Sequence, residues 1–555
     1  MFFIPDRWAT ALAILFFSTL SFAQAPPDAD QLLLQKMTLE QKVGQLFILG
    51  FMGTDTDHSL NDVITRLHPG GVLVFSRNIR TAKQTAQLLY HAQAASIKST
   101  RAPLLIAVDQ EGGDVIRIKT SPQLPSAMGL AQAGDKTLVR EAGLQTANIL
   151  KALGFNMNLA PVLDIADSAK DSFIGTRAFG KTPELVSEMG LAFADGLRAG
   201  GILPTAKHFP GHGGVRGDSH LVTPQKNISL ERLLETDLVP YAELTKRGGA
   251  SAVMVAHIAF PKIDPSLAPA TYSKTLISDV LRGKIGFQGI VMTDDIEMGG
   301  AGSGGALDHA KRAINAGVDL VMMAWNKKMQ FKVIRGVLAA VKSKELSITR
   351  IDESVLRILR IKRQFASFDA PVLPDAKLLL ASVRGPGIQA VSKKVLDNIF
   401  KSLHTKPSQG GAGHSSRLDI ESLSAKKFLV YSLNESFYRS FRSSEHKLNS
   451  RFEGLTPDSP ERIDLALNKS DSTIALIYIS GPRSAKAANT LTDESARRTI
   501  LVNADSQSLV KDANRFADVI DVSFKHPDTG AMVAAYLESL SHSLRAPSSR
   551  ESPRE

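Results

Sequence analysis

Between residues 40 and 344 the chain alternates short, β-rich apolar runs with amphipathic stretches of helical period, without a break. The runs are "GQLFILGF", "GGVLVFSRN", "PLLIAVDQ", "FNMNLAPVLDI", "ILPTAKHF", "SAVMVAHI", "GIVMTDD" and "LVMMAWN". Stretches such as "DKTLVREAGLQTANILKAL" and "SLERLLETDLVPYAELTKRG" separate them. Strands that alternate with helices pair in parallel through crossovers. Eight such units predict an α/β fold, a closed (β/α)8 barrel of the TIM type, enlarged by its loops. A doubly wound open sheet is the alternative.

Barrels of this kind carry their chemistry where the strands end. Polar residues fall there: Asp109 after "LLIAV", Asp164 after "APVL", Lys207 and His208 after "LPTA", His257 after "VMVA", and Asp294 after "IVMT". Any one of them could be a buried polar group satisfied by its neighbours. Together, each at the end of an apolar strand, they predict a polar pocket.

At 555 residues the chain exceeds one ordinary core, so a second domain is expected. The barrel is placed at 34–368. "DAPVLPDAKLL" reads as a linker, and 385–543 as a smaller α/β, sandwich-like accessory domain. Its strand candidates are "KKFLVYSL", "STIALIYIS", "RRTILVNA" and "DVIDVSF"; "HTKPSQGGAGHSSR" reads as a loop and 544–555 as a disordered tail. The formal net charge of +11 favours acidic surroundings. The basic residues are scattered and no nucleic-acid-binding signature accompanies them, so no nucleic-acid partner is expected.

The first 23 residues read as a secretory signal, with an apolar core and small residues Ser21 and Ala23 at the cleavage site. An exported, periplasmic or secreted protein follows, bound to a membrane only if that segment stays uncleaved. The chain has no cysteine, which excludes disulfides, thiolate metal sites and a lipoprotein anchor.

The densest group of titratable residues is "KHFPGHGGVRGDSH", 207–220. It could be a metal cage, an acid/base loop or a glycine-rich turn. His208, His212 and His220 with Asp218 offer enough ligands for zinc, but Lys207 beside His208 would oppose a cation, and no metal site is assigned.

"KHFPGHGGVRGDSH", "DQEGG", "GTRAFG" and "GIVMTDDIEM" together resemble the family 3 glycoside hydrolases, in their β-N-acetylglucosaminidase branch, over 34–365. The resemblance implies a retaining β-N-acetylhexosaminidase that removes terminal β-linked N-acetylglucosamine through a covalent glycosyl-enzyme, with no cofactor. Retention needs a carboxylate below the anomeric carbon and a proton donor above it. By the same resemblance Asp294 is the nucleophile; the adjacent Asp295 is the structural alternative, since one member of a strand-end pair usually points away and accepts backbone hydrogen bonds. His220 is the general acid/base, oriented by Asp218, in place of the usual second carboxylic acid. An imidazole titrates near neutral pH, and a carboxylate partner fixes its tautomer. Asp109, Arg117, Arg177, Lys207 and His208 are the implied sugar-binding residues.

One residue departs from the family pattern: Asp114 follows "DQEGG" where arginine is usual. The expected partner is a carbohydrate, either an N-acetylglucosamine-containing oligosaccharide of chitin type or a peptidoglycan fragment (a muropeptide). The sequence assigns no oligomeric state. A β-glucosidase or xylosidase, a phosphorylase on the same barrel, and a catalytically lapsed wall-binding protein are the rival readings. "GDSH" argues against the first, and the joint presence of Asp218, His220 and Asp294 against the last.

Overall fold

The structure, a computed structural model, describes residues 28–405 apart from 56–57, 121, 167–173, 216–221 and 250. Beyond these it describes 427–432, 435–443, 450–454, 459–468, 473–479, 482–503, 518–521, 529, 531–534 and 536–537. The segment read as a signal, the expected tail and all of the expected loop 404–417 after residue 405 lie outside the described residues, as do Asp218 and His220.

Eight parallel strands close into a barrel: β1 (Phe47–Gly50), β2 (Gly71–Val74), β3 (Leu105–Val108), β4 (Met157–Asn158), β5 (Leu203–Phe209), β6 (Ala252–Val255), β7 (Ile290–Asp295) and β8 (Leu320–Met323). β8 pairs with β1, so no edge remains and the open-sheet alternative is excluded.

Each apolar run serves two cores because successive side chains leave a strand on opposite faces. Ile48, Leu73, Leu105, Met157, Leu203, Met254, Met292 and Leu320 fill the barrel interior. Their neighbours Phe47, Leu49, Val72, Val74, Ile106, Val108, Val253, Val291 and Val321 pack outward against the helices. Methionines let the interior fill irregular gaps. Ile358 and Ile361 of helix Ile348–Phe365 join the interior cluster and close the end of the barrel opposite the strand C-termini.

The helices around the barrel carry their own start signals. Thr38, Asp135, Thr182 and Ser347 each accept an amide of the first turn, and Gly154 ends Lys136–Leu153 in the left-handed conformation. "SLERLLETDLVPYAELTKRG" is not one helix but two, Leu230–Glu235 and Val239–Arg247, with Pro240 in the first turn of the second. A proline fits there because first-turn amides have no intrahelical partner.

After the barrel, part of the segment read as a linker is helical. Ala376–Val383 and Pro386–Thr405 pack against the barrel helices Ala82–Thr100 and Lys136–Leu153, and the Ser392 hydroxyl donates to the Gln123 carbonyl at 3.0 Å. A second parallel sheet follows, made of β9 (Lys427–Ser432), β10 (Ser450–Gly454), β11 (Thr473–Ile479), β12 (Thr499–Asn503) and β13 (Asp518–Asp521). Its order is β10-β9-β11-β12-β13. One face buries Leu429, Tyr431, Ala475, Ile477 and Leu501, the other Phe428, Val430, Ile474, Leu476 and Val502. The α/β barrel with a smaller α/β domain is therefore the architecture. β10 was not legible: "SRFEG" is a polar edge strand with one large apolar residue.

Candidate active site

The polar strand ends converge at the C-terminal mouth of the barrel. Lys207, on β5 and only 2% exposed, places its Nζ 3.0 Å from Asp109 Oδ1 and 2.7 Å from Glu111 Oε1. Glu111 also takes both arms of Arg177, with Nε and a terminal nitrogen at 2.8 Å. Arg117 reaches Asp109 at 3.5 Å. Burial would push the Glu111 carboxyl up, yet the Arg177 and Lys207 cations outweigh it and hold the group well below the usual range. Burial likewise opposes the Lys207 charge, but Glu111 and Asp109 raise it above an ordinary lysine. Both groups therefore keep their charges near neutral pH.

The local sequence holds this cluster rigid. Gln110 accepts the Arg117 and Ile118 amides on its side-chain oxygen and donates to the Ile118 carbonyl, cinching the loop that brings Arg117 back over Asp109. The Gln110 backbone is paired with the Asn158 side chain, which ties β3 to β4. Gly112 turns the loop at φ 101°, where a Cβ would meet the Pro125 carbonyl at 2.3 Å. "DQEGG" is thus a structural device for presenting Asp109 and Glu111. Asp114 lies exposed on its outer side.

His208 follows Lys207, and both are buried although neighbours on a regular strand would alternate; the β5–β6 register shifts between Ala206 and Phe209. His208 Nδ1 lies 2.6 Å from Asp164 Oδ2, and Asp164 Oδ1 takes the His212 amide at 2.6 Å. Burial raises the Asp164 pKa, but the His208 partner overrides it and the carboxylate sits at about 2. A carboxylate only accepts, so His208 carries its proton on Nδ1 and Nε2 is the nitrogen left for a ligand. Burial depresses His212 to about 4 against the pull of Asp164, so it is neutral near pH 7. Further along, a Cβ on Gly213 would meet the Ile165 carbonyl at 1.8 Å, which pins the start of the histidine loop to the β4 loop.

Two consecutive aspartates end β7. Asp295 is buried; its Oδ1 accepts the amides of Glu297 at 3.1 Å and Ala324 at 3.2 Å, and Oδ2 has no hydrogen-bond partner among the described residues. Burial, with help from Glu297 and Asp294, pushes it up to about 7. Asp294 is half-buried and accepts the Asp295 amide at 2.8 Å. Burial raises its pKa, but His208, His257, that amide and Lys207 together bring it below the ordinary aspartate value. Environments that push two carboxyls apart assign them different work. Asp294 is the carboxylate that stays charged. His257 lies alongside, its Nε2 donating to the Asp295 carbonyl at 3.1 Å and its Nδ1 2.8 Å from the Thr271 hydroxyl.

The structure brings Asp109, Arg117, Arg177, Lys207, His208 and Asp294 to one mouth. Asp164 and His257 were recognised in the sequence only as polar strand ends, and Glu111 only as part of its motif. Among the described residues, no three His, Asp or Glu side chains come together as a metal-ligand group.

The barrel is similar to that of known proteins. Residues 38–361 match the model of the glycosyl hydrolase family 3 N-terminal domain. The chain belongs to glycosyl hydrolase family 3. This family 3 hydrolase is 38% identical to a β-hexosaminidase of Tolumonas auensis over 296 residues, 52% of this chain and 86% of that one. It is 40% identical to a β-hexosaminidase of Neisseria meningitidis over 264 residues, 46% of this chain and 71% of that one. A family 3 β-N-acetylglucosaminidase from Paenibacillus sp. superposes with a TM-score of 0.77 at 29% identity, covering 91% of this chain and 97% of that one. The last match extends beyond the barrel into the second domain.

Proposed function

We propose that this glycoside hydrolase is an exported, retaining β-N-acetylhexosaminidase that releases terminal β-linked N-acetylglucosamine from peptidoglycan fragments or chitin-like oligosaccharides. The observation that carries the reading is the split between Asp294 and Asp295: one carboxylate held charged at the end of β7, facing a buried cluster of sugar-gripping charges. The names of the relatives supply the N-acetyl sugar, and the N-terminal signal segment supplies export.

In the first step the Asp294 carboxylate attacks the anomeric carbon from below. The bond to the leaving oxygen breaks, and the His220 imidazolium gives its proton to that oxygen. In the second step neutral His220 takes a proton from water, whose oxygen attacks the anomeric carbon and frees Asp294. Two inversions leave the β configuration unchanged. Asp218 holds His220 in the tautomer this requires. Thr223, three residues after His220, donates to the Gly300 carbonyl at 2.8 Å in the loop that follows β7. The exit of the histidine loop is therefore anchored beside the strand of Asp294, which supports a meeting of His220 with the sugar above that carboxylate.

Asp109, Lys207, His208 and Arg117 grip the hydroxyls of the terminal sugar. Arg177 acts through Glu111, which it holds against Lys207. The test is to trap the covalent intermediate with an activated, fluorinated N-acetylglucosaminyl donor and locate the added mass by peptide mapping. A label on Asp294 is expected. A label elsewhere, or inverted product, overturns the mechanism.

A further inference from the structure

At the outer rim of the mouth, away from the buried charges of β3, β4 and β5, three side chains stack. Phe75 follows β2 and Trp325 follows β8; their rings lie 5.3 Å apart at 31°. The Arg77 guanidinium lies 4.1 Å from the Phe75 ring centre and 4.3 Å from that of Trp325. Arg77 is itself fixed, donating to the Phe51 carbonyl at 3.1 Å and the Ala324 carbonyl at 2.9 Å. The backbone under the indole is tethered as well, because the Glu297 carboxylate accepts the amides of Trp325 at 2.9 Å and Asn326 at 3.2 Å. Yet Trp325 is 58% exposed. A large aromatic braced by its neighbours and still open to solvent is preorganised for contact, since little freedom is left to lose on binding.

Its position names the contact. The amide of Ala324, the residue before Trp325, binds Asp295 in the carboxylate pair, so the indole begins one residue from the reacting strand. A terminal sugar gripped by Lys207, Asp109 and His208 occupies the buried part of the pocket. The remainder of the substrate must leave toward solvent, where the rim is. Pyranose rings carry an apolar face of C–H bonds, which an indole covers while its polar edge stays wet.

We propose that the open face of Trp325 is the stacking platform for the leaving sugar ring, with Phe75 and Arg77 as its positioning residues. The proposal rests on the hydrolase reading above and adds the residue that selects a sugar as leaving group.

The test compares two substrates whose leaving oxygens are both alkoxide-like, so that the demand on His220 is the same: methyl β-N-acetylglucosaminide, too short to reach the rim, and N,N′-diacetylchitobiose. Trp325→Ala is expected to lower kcat/KM for the disaccharide at least about tenfold, chiefly through KM, and to leave the methyl glycoside within about twofold. Trp325→Phe restores most of the loss, and Arg77→Met shows a smaller loss confined to the disaccharide. Equal losses on both substrates, or none on the disaccharide, overturn the platform. A parent enzyme that cleaves neither overturns the hydrolytic reading itself.

Discussion

The amide of Asp295 donates to the carboxylate of Asp294 at 2.8 Å, while the carboxyl of Asp295 turns away to hold the amides of Glu297 and Ala324. One residue supports the other's charge while its own carboxyl serves the backbone. Asp294→Asn is therefore expected to lower kcat by more than about a thousandfold, as loss of a nucleophile does. Asp295→Asn keeps an oxygen for the two amides and should stay within about tenfold of the parent. Steady-state rates on an aryl N-acetylglucosaminide decide, and similar losses in both variants would dissolve the division of labour.

The same pair predicts a pH dependence of stability. Asp295 has a folded pKa of about 7, raised from 3.8. Its contribution to stability is therefore fully present below pH 3.8 and is lost as pH rises through 7. The melting temperature of Asp295→Asn should gain on that of the parent between pH 5 and about pH 8. Calorimetric scans across that window measure it; a constant difference would mean that Asp295 does not titrate there.

If His220 protonates the departing oxygen, its removal hurts most where the leaving group is poor. His220→Ala should show a steeper dependence of glycosylation rate on leaving-group acidity than the parent. General acid assistance is worth about a hundredfold to ten-thousandfold on the least acidic alcohols. Pre-steady-state rates over a series of aryl glycosides give the slope. An unchanged slope would assign His220 to loop structure or sugar binding.

Glu111 carries Arg177 and Lys207 at once, in a place too buried for water to replace it. Removing one member of a buried ion cluster leaves charges unpaired, at a cost of about 3–5 kcal/mol. Glu111→Ala should lower the melting temperature and raise KM for the terminal sugar, because Lys207 then loses its second anchor. Chemical denaturation and a substrate titration read the two effects separately.

At the closed end of the barrel, Lys362 is fully buried, and its Nζ donates to the Gln45 side chain at 2.6 Å. Burial lowers its pKa to about 7 from 10.5. Its contribution is thus fully present above pH 10.5 and lost as pH falls through 7. Lys362→Met leaves the buried Gln45 oxygen without its donor at every pH but removes the cost of burying a charge, so its stability relative to the parent should be greater at pH 6 than at pH 10. Denaturation midpoints at the two pH values test this.

The eight barrel strands were legible because each is an apolar run punctuated by a helix of clear period. The regular part of β4 is only Met157–Asn158, however; beyond it the Ala160 and Pro161 carbonyls still accept the Thr205 and Lys207 amides, and Val162 is bridged to Lys207. Apolarity alone could not show that. Strand-end polarity found Asp109, Asp164, Lys207, His208, His257 and Asp294, but not who pairs with whom. Glu111 and Arg177 are 66 residues apart, and only barrel closure makes their ion pair. Trp325 was passed over as part of a strand because nothing local distinguishes an indole packed in a core from one presented at a rim.

Ile48, Leu73, Leu105, Met157, Leu203, Met254, Met292 and Leu320 fill the barrel beneath its mouth, so substrate enters and product leaves by a single door. The sugar that goes in first is the last to come out, and the severed remainder must drift away before it can. A polymer cannot be threaded through such a dead end. On the proposed reading, in which a terminal sugar is removed, the enzyme lets go of its chain after each cut and must find a fresh end.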